Sequence, residues 1–327
     1  MKTEININRI DILDYLRGFG LIGILLVNAP FLLKMDPPPL GPIDTSYQQF
    51  LYLFIEGRFY TIFTFLFGIG FYIFITRAKA KGSNGYLLFI RRLILLSIMG
   101  HILSIFFSGE ILGLYARWGI FLLPFYKVRR HFNLAFALLG IFCLSFLGSK
   151  DLLVFPLFLL GLAVGQYGIF EKISENLREF KTFTIIMAGL SIIGLVIHYI
   201  SFNHGTRVSG TSYRIGLMTG PIISACYVGV LVLSLQPVWI QKLLFPLKYY
   251  GRMALTNYVY QVVLVLTADY YFQLTGNITY SQSFFLCISI YVLQLLSSIA
   301  WLQFFRMGPL EWLWRTFTYW KLVSNKK

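Results

Sequence analysis

Apolar residues run in blocks of about twenty along almost the whole chain, separated by short polar or proline-bearing stretches. A block of that length crosses the roughly 30 Å hydrocarbon core of a bilayer as an α-helix. Ten blocks read as spans: 12–33, 49–76, 87–108, 111–126, 132–149, 152–168, 182–202, 215–235, 253–273 and 283–305. The pattern predicts an all-α fold, a polytopic transmembrane helical bundle of about ten spans forming one integral membrane domain over residues 1–327. Spans 111–126 and 132–149 are short and read as tilted partners. The polar run FEKISENLREFK predicts an amphipathic surface helix. Its residues 171–181 would join sub-bundles 1–170 and 182–320 on the inner side. The loop MDPPPLGPID carries four prolines and cannot be helical throughout. The opening MKTEININRID has mixed charge, and no small-residue cleavage site follows the first apolar run. That run therefore reads as a retained first helix and not as a cleaved signal.

Composition strengthens this picture. Of 327 residues, 57% are hydrophobic and 13% charged, with a mean hydropathy of +0.71. A soluble domain carries about one quarter charged residues. The net charge is +15. With the N-terminus placed in the cytoplasm, 21 of the 28 Lys and Arg residues fall in inner segments. Lys34, Lys150, Arg207 and Arg214 fall outside, and Arg17, Arg58 and Arg117 lie within spans. This asymmetry predicts cytoplasmic N- and C-termini. The charge is thereby explained by topology and implies no nucleic acid, although inner basic residues can also meet an anionic cofactor. Cys143, Cys226 and Cys287 lie in apolar blocks without CxxC spacing and read as small buried hydrophobes. No HExxH, Walker loop or metal-ligand cluster is present in the sequence, so no metal is expected.

The chemistry lies in ionisable residues within the spans, each costing roughly 2.5–3.5 kcal/mol to insert at the bilayer centre unless partnered. Asp14 and Arg17 are three apart and share a face of the first helix. Asn28 lies on the same stripe, about 16 Å higher at 1.5 Å per residue. Between them Gly18, Gly20 and Gly23 offer a smooth face to another helix or to a long thin ligand. The structural alternative makes Asp14 and Arg17 interfacial anchors and Asn28 an interhelical hydrogen-bonder. In FIEGRFYTIFTFLFGIGF, Glu56 and Arg58 are two apart and, on a continuous helix, point about 160° away from each other. Each then needs a partner on another element. In SGEILGLYARWG, Glu110 and Arg117 are seven apart and share a face. His101 lies at membrane depth, as a proton-transfer group or as a packing residue. His131, His198 and His204 read as interfacial, and Asp269 as solvated.

Five stretches, DYLRGFGLIGILLVN, EGRFYTIFTFLFGIGF, GEILGLYA, GRMALTNYVYQ and GPLEWLWR, resemble in order the motifs of the YeiB-like family of bacterial membrane proteins. Arg58 stands for the usual Lys, Thr64 for Ser, Glu110 for Asp, and Val262 for a Ser. The resemblance extends to a wider membrane acyltransferase superfamily that includes heparan-α-glucosaminide N-acetyltransferase, whose first core helix also reads Asp-x-x-Arg-Gly and then Asn. Asp14, Arg17, Gly18 and Asn28 match that pattern. The position of that enzyme's proposed catalytic His is Pro39 here. The resemblance thus implies acyl transfer from a cytosolic acyl-CoA to an extracytoplasmic or envelope acceptor. Asn28 would be an oxyanion donor, and His101, Glu56 or Glu110 would take the proton-transfer role. Arg17, Asp14, Gly18, Arg58, Arg117, Arg252 and Asn257 would hold the acyl-CoA. The alternatives are a small-metabolite transporter using the same polar track, or a non-catalytic helper in an envelope complex. The expected partners are the bilayer, an acyl-CoA and an envelope acceptor, and a homo-oligomer is compatible with the sequence.

Overall fold

The computed structural model describes residues 9–35, 41–173, 175–203 and 210–327. Pro39, His204 and Arg207 lie outside the described residues. Fourteen α-helices follow one another in the described residues. They are α1 (Arg9–Leu32), α2 (Pro42–Phe50), α3 (Arg58–Ala80), α4 (Gly85–Ser104), α5 (Leu112–Leu122), α6 (Arg130–Ser145) and α7 (Lys150–Tyr167). Then come α8 (Leu177–Asn203), α9 (Gly210–Ser234), α10 (Val238–Leu243), α11 (Phe245–Arg252), α12 (Ala254–Phe272), α13 (Tyr280–Phe304) and α14 (Pro309–Tyr319). The chain is a multi-pass membrane protein.

Seven stretches among the described residues are long and apolar enough to cross a membrane. Of the ten expected spans, the helices Leu112–Leu122, Arg130–Ser145 and Ala254–Phe272 fall outside this set on length or hydropathy. Among the described residues no separate helix covers the 171–181 segment expected to be amphipathic. Ile169–Glu171 form a 3₁₀ turn and α8 begins at Leu177. Cys143 is exposed on α6, not buried, whereas Cys226 and Cys287 are buried.

Packing explains the arrangement. On α4, Leu87, Ile90, Ile94, Ile98 and Ile102 are exposed, recurring at helical spacing, while Leu88, Leu96 and Leu103 are buried. An exposed apolar stripe of this kind is satisfied by lipid tails. Helix α8 shows the converse. Its apolar faces are exposed, and besides Gly194 its buried positions are the polar Thr184, Ser191 and His198, seven residues apart. Small residues of α9 receive them: a Cβ at Gly229 would sit 2.9 Å from Thr184 Cγ2, and one at Gly216 3.1 Å from His198. Close approach through small residues is how helices associate where no hydrophobic drive exists.

Helix α1 is the hub. It packs on α3, α11, α12 and α13. The backbones of α1 and α11 touch where Gly18 meets Leu247 and Gly251, and a Cβ at Gly251 would overlap the Asp14 carbonyl. The two C-terminal motifs clasp each other: Glu311 Oε1 on α14 accepts from the amides of Leu255 (2.7 Å) and Thr256 (3.0 Å), two N-terminal donors of α12. Its Oε2 accepts from the Thr256 hydroxyl. Helix α14 also docks on α4, where the Trp314 indole donates to the Arg92 carbonyl (2.9 Å) and faces the Arg92 guanidinium 3.9 Å from its ring centroid.

Candidate functional site

The helix that should have run through Glu56 and Arg58 is broken there. Leu51–Ile55 form a π-helical turn closed by the Glu56 amide on the Leu51 carbonyl (2.8 Å). Glu56 is extended, Gly57 takes φ +78°, and α3 starts at Arg58. The expected 160° divergence on one continuous helix therefore does not arise. A break at membrane depth leaves backbone carbonyls that lipid cannot satisfy. Arg58 supplies the donors. Its Nη1 donates to the carbonyls of Glu56 (2.6 Å) and Tyr52 (3.2 Å), and Tyr227 donates to the carbonyl of Phe54 (3.1 Å). Arg58 Nη2 meets His198 Nδ1 at 2.9 Å. The Glu56 carboxylate turns the other way, to Lys150 Nζ at 2.6 Å.

Glu56, Gly57 and Lys150 stand at the edge of a cavity of about 860 Å³. It descends between α1, α3, α4 and α5 from the end that the charge asymmetry places outside. Among its walls are Asn28, His101, Glu110, Arg117 and Asp151. Glu110, in the turn before α5, and Arg117, on α5, line the same cavity wall, as their spacing predicts. Gly113 lies between them, and a Cβ there would be 2.7 Å from Glu110 Oε1 and 3.9 Å from Arg117 Nη1. The Glu110 carboxylate accepts from the Gly113 amide (3.2 and 3.0 Å), so it caps the start of α5 while facing the cavity. Ser97, Ser104 and Ser108 add hydroxyls to the same walls. Gly23 forms part of the floor.

The structure thus gathers Asn28, Glu56, His101, Glu110 and Arg117 around one space. It does not bring the remaining expected residues there. Arg17 pairs with Asp14 at 2.9 Å, six residues and about 9 Å below Gly23 along α1. The face between is filled. A Cβ at Gly20 would meet Phe63 at 3.2 Å, and one at Gly23 would overlap the Phe59 ring. Gly18, expected to face a thin ligand, faces the α11 backbone. Asn257, expected to hold a cofactor, is buried with its amide nitrogen bonded to the Tyr250 carbonyl and the Ser298 hydroxyl, both at 2.9 Å. Gln294 donates to the Asn257 carbonyl and accepts from Tyr250, so this network locks α11, α12 and α13 together. Arg252 is exposed near Asp14 at the inner end. Arg58 is a backbone clamp behind the cavity and not part of its wall.

Sequence reasoning missed two participants. His198, read as interfacial, is fully buried against Arg58. Its sevenfold spacing from Thr184 and Ser191 was the available signal. Lys150, counted as an outer-loop charge, is the partner of Glu56.

A family model described as "Protein of unknown function (DUF418)" matches residues 164–321, from the end of α7 through α14. An "Uncharacterized protein YeiB" of Escherichia coli (strain K12) is 26% identical over 373 residues, covering 94% of this chain and 95% of that one. An "Uncharacterized protein YxaH" of Bacillus subtilis (strain 168) is 28% identical over 407 residues, covering 100% and 98%. An "Uncharacterized 39.9 kDa protein in amylase 3'region" of Bacillus acidopullulyticus reaches 46% identity over 325 residues, covering 95% and 94%. The chain belongs to the YeiB-like family. No solved structure matches it. These YeiB-like relatives align over nearly the whole chain, so the similarity takes in the cavity-bearing helices α1 to α5 as well as the C-terminal clasp.

Proposed function

We propose that this YeiB-like chain is a transmembrane acyltransferase whose reaction chamber is the outer cavity. The observation that carries the reading is the convergence of Asn28, His101, Glu110 and Arg117 on one space of about 860 Å³. That volume accommodates a small-molecule acceptor together with a thioester terminus. In this reading His101 takes the proton from an acceptor hydroxyl or amine, and Glu110 or Glu56 is the alternative base. The acceptor attacks the thioester carbonyl, the Asn28 amide donates to the resulting oxyanion, and the C–S bond breaks to release the CoA thiol. Arg17, beside Asp14 and Arg252, holds the phosphates of an acyl-CoA at the inner end. Because Phe59 and Phe63 fill the face between Arg17 and the cavity floor, turnover requires these rings to swing away.

That same plug favours a second reading. A cavity reached from one side and closed at mid-depth by two aromatic rings is also the outward-facing form of a small-metabolite transporter.

Thermal unfolding in mild detergent with acetyl-CoA and longer acyl-CoAs separates the two. Acyl transfer predicts that a thioester raises Tm, that Arg17→Ala weakens the rise, and that Asn28→Ala abolishes acceptor-dependent CoA release. If no thioester binds, and a labelled solute crosses proteoliposomes without an acyl donor, the transport reading replaces it.

A further inference from the structure

The outer half of α4 carries three stripes, which follow one another around the helix at roughly 90° intervals. Leu93, Leu96, Gly100 and Leu103 are buried. They form the seam with α5, where a Cβ at Gly100 would overlap the Gly113 amide and one at Gly119 would meet Leu93. Ser97, His101 and Ser104 are exposed and line the large cavity. Ile94, Ile98 and Ile102 are exposed and apolar, a surface for lipid tails.

A helix that seals a cavity from lipid needs a packed seam on each side of its cavity face, and the outer half of α4 has a seam on one side. His101 and Ile94, seven residues apart, stand about 20° from each other around the helix with no buried residue between them. The polar wall of the cavity therefore continues directly into the lipid-facing stripe. On α1, Phe31 also lines the cavity and is 58% exposed, an apolar side chain at its rim. The cavity opens sideways into the bilayer as well as outward, and a water-soluble ligand needs no such side opening.

The opening lies at headgroup depth. His101 is three residues, about 4.5 Å, short of the outer end of α4. Arg117 reaches the same level, because a Cβ at Gly113, which faces Gly100, would be 3.9 Å from Arg117 Nη1. The ion pairs among the described residues, Arg17–Asp14, Lys150–Glu56 and Lys248–Asp11, do not include Arg117. Glu110, on the same wall, is turned to the Gly113 amide. A guanidinium with free donors suits a phosphate, and His101 and Asn28 suit a hydroxyl.

We propose that the large cavity takes the headgroup of an outer-leaflet phospholipid bearing a free hydroxyl, which enters sideways past α4. Its phosphate meets Arg117, its hydroxyl lies toward His101, and its tails stay on Ile94, Ile98 and Ile102. As the acyl acceptor this lipid rests on the acyl-transfer reading: the headgroup oxygen bonds to the thioester carbon, its proton passes to His101, and the C–S bond breaks to release CoA. As a bound ligand it does not rest on that reading.

The test uses the full chain in phosphatidylethanolamine vesicles containing a trace of phosphatidylglycerol with a photoreactive diazirine on its headgroup. After irradiation without acyl-CoA, mass spectrometry should find adducts on the cavity walls, around His101 and Asn28. Excess unlabelled phosphatidylglycerol should suppress them and glycerol 3-phosphate should not. Arg117→Gln should weaken the labelling about tenfold, the loss expected for one charge-assisted contact, whereas Arg117→Lys should retain much of it. Adducts confined to residues outside the cavity, cavity adducts unchanged in Arg117→Gln, or competition by glycerol 3-phosphate equal to that by the lipid overturns the proposal. With radiolabelled acetyl-CoA, label in a chloroform–methanol extract supports the lipid as acceptor. Label found only in a water-soluble product overturns it and leaves acyl transfer standing. Cavity adducts without CoA release from any thioester uphold the lipid site and overturn acyl transfer.

Discussion

At the residue scale, the side chains divide into those whose polar atoms are used up and those left facing space. Asn257 belongs to the first group and Asn28 to the second, although both are amides in motif-bearing helices. Different consequences follow for the two. Asn28→Ala should lower acyl transfer about 10²–10³-fold, the range for loss of an oxyanion donor, with little change in Tm. Asn257→Ala should lower Tm, because it strips partners from Ser298 and Tyr250. Glu311 offers a pH test outside the membrane-spanning segments. Burial raises its carboxyl above the ordinary glutamate value, against the pull of its hydrogen bonds to Thr256 and Leu255. A carboxyl raised in the folded state binds its proton more tightly there than in the unfolded chain, so its contribution to stability falls as pH rises from the ordinary glutamate value of 4.5. Tm measured against pH should show this fall in the wild type and not in Glu311→Gln.

At the element scale, the decisive feature is a helix that stops. The run FIEGRFYTIFTFLFGIGF is apolar enough to be read as one continuous span, and the break is set by two local facts that hydropathy ignores. Gly57 can adopt φ +78°, and Arg58 can reach back to the freed carbonyls. The glycine was visible in the sequence, but its left-handed conformation was not. The reach of Arg58 to His198, 140 residues away, was legible only as an unassigned need for a partner. The nearness of Glu110 and Arg117 was legible from their seven-residue spacing, although Glu110 lies in the turn before α5 and reaches the helix through the Gly113 amide. The glycine face of α1 was legible as a small-residue surface, but whether a ligand or a helix fills it depends on the approach of α11 and α3, which no local pattern encodes. Gly57→Ala isolates the break. No atom lies within 4 Å of a Cβ there, so its cost is backbone strain alone, about 1–2 kcal/mol. Gly251→Leu tests the α1–α11 crossing. The added side chain would overlap the Asp14 carbonyl, and overpacking of this kind costs about 1–3 kcal/mol. Both are read as lowered Tm in detergent.

At the scale of the whole molecule, lipid-facing stripes, a polar interior and a one-sided cavity combine into a chamber whose floor at Gly23 lies about 9 Å along α1 from Arg17. Charge asymmetry places the chamber outside. A membrane-impermeant thiol reagent added to intact cells should therefore label a cysteine introduced at Ser104, on the cavity wall, and should not label one at Arg252. Labelling in the opposite pattern would invert the topology. Acyl transfer is tested most directly across a sealed membrane. Proteoliposomes are loaded with radiolabelled acetyl-CoA, an envelope extract is supplied outside, and the chain is sorted by orientation. The account predicts that label appears on an external acceptor while free CoA accumulates inside, and that Asn28→Ala and His101→Ala prevent both. Intact internal acetyl-CoA with the wild-type chain, or transfer unaffected by either substitution, would contradict it.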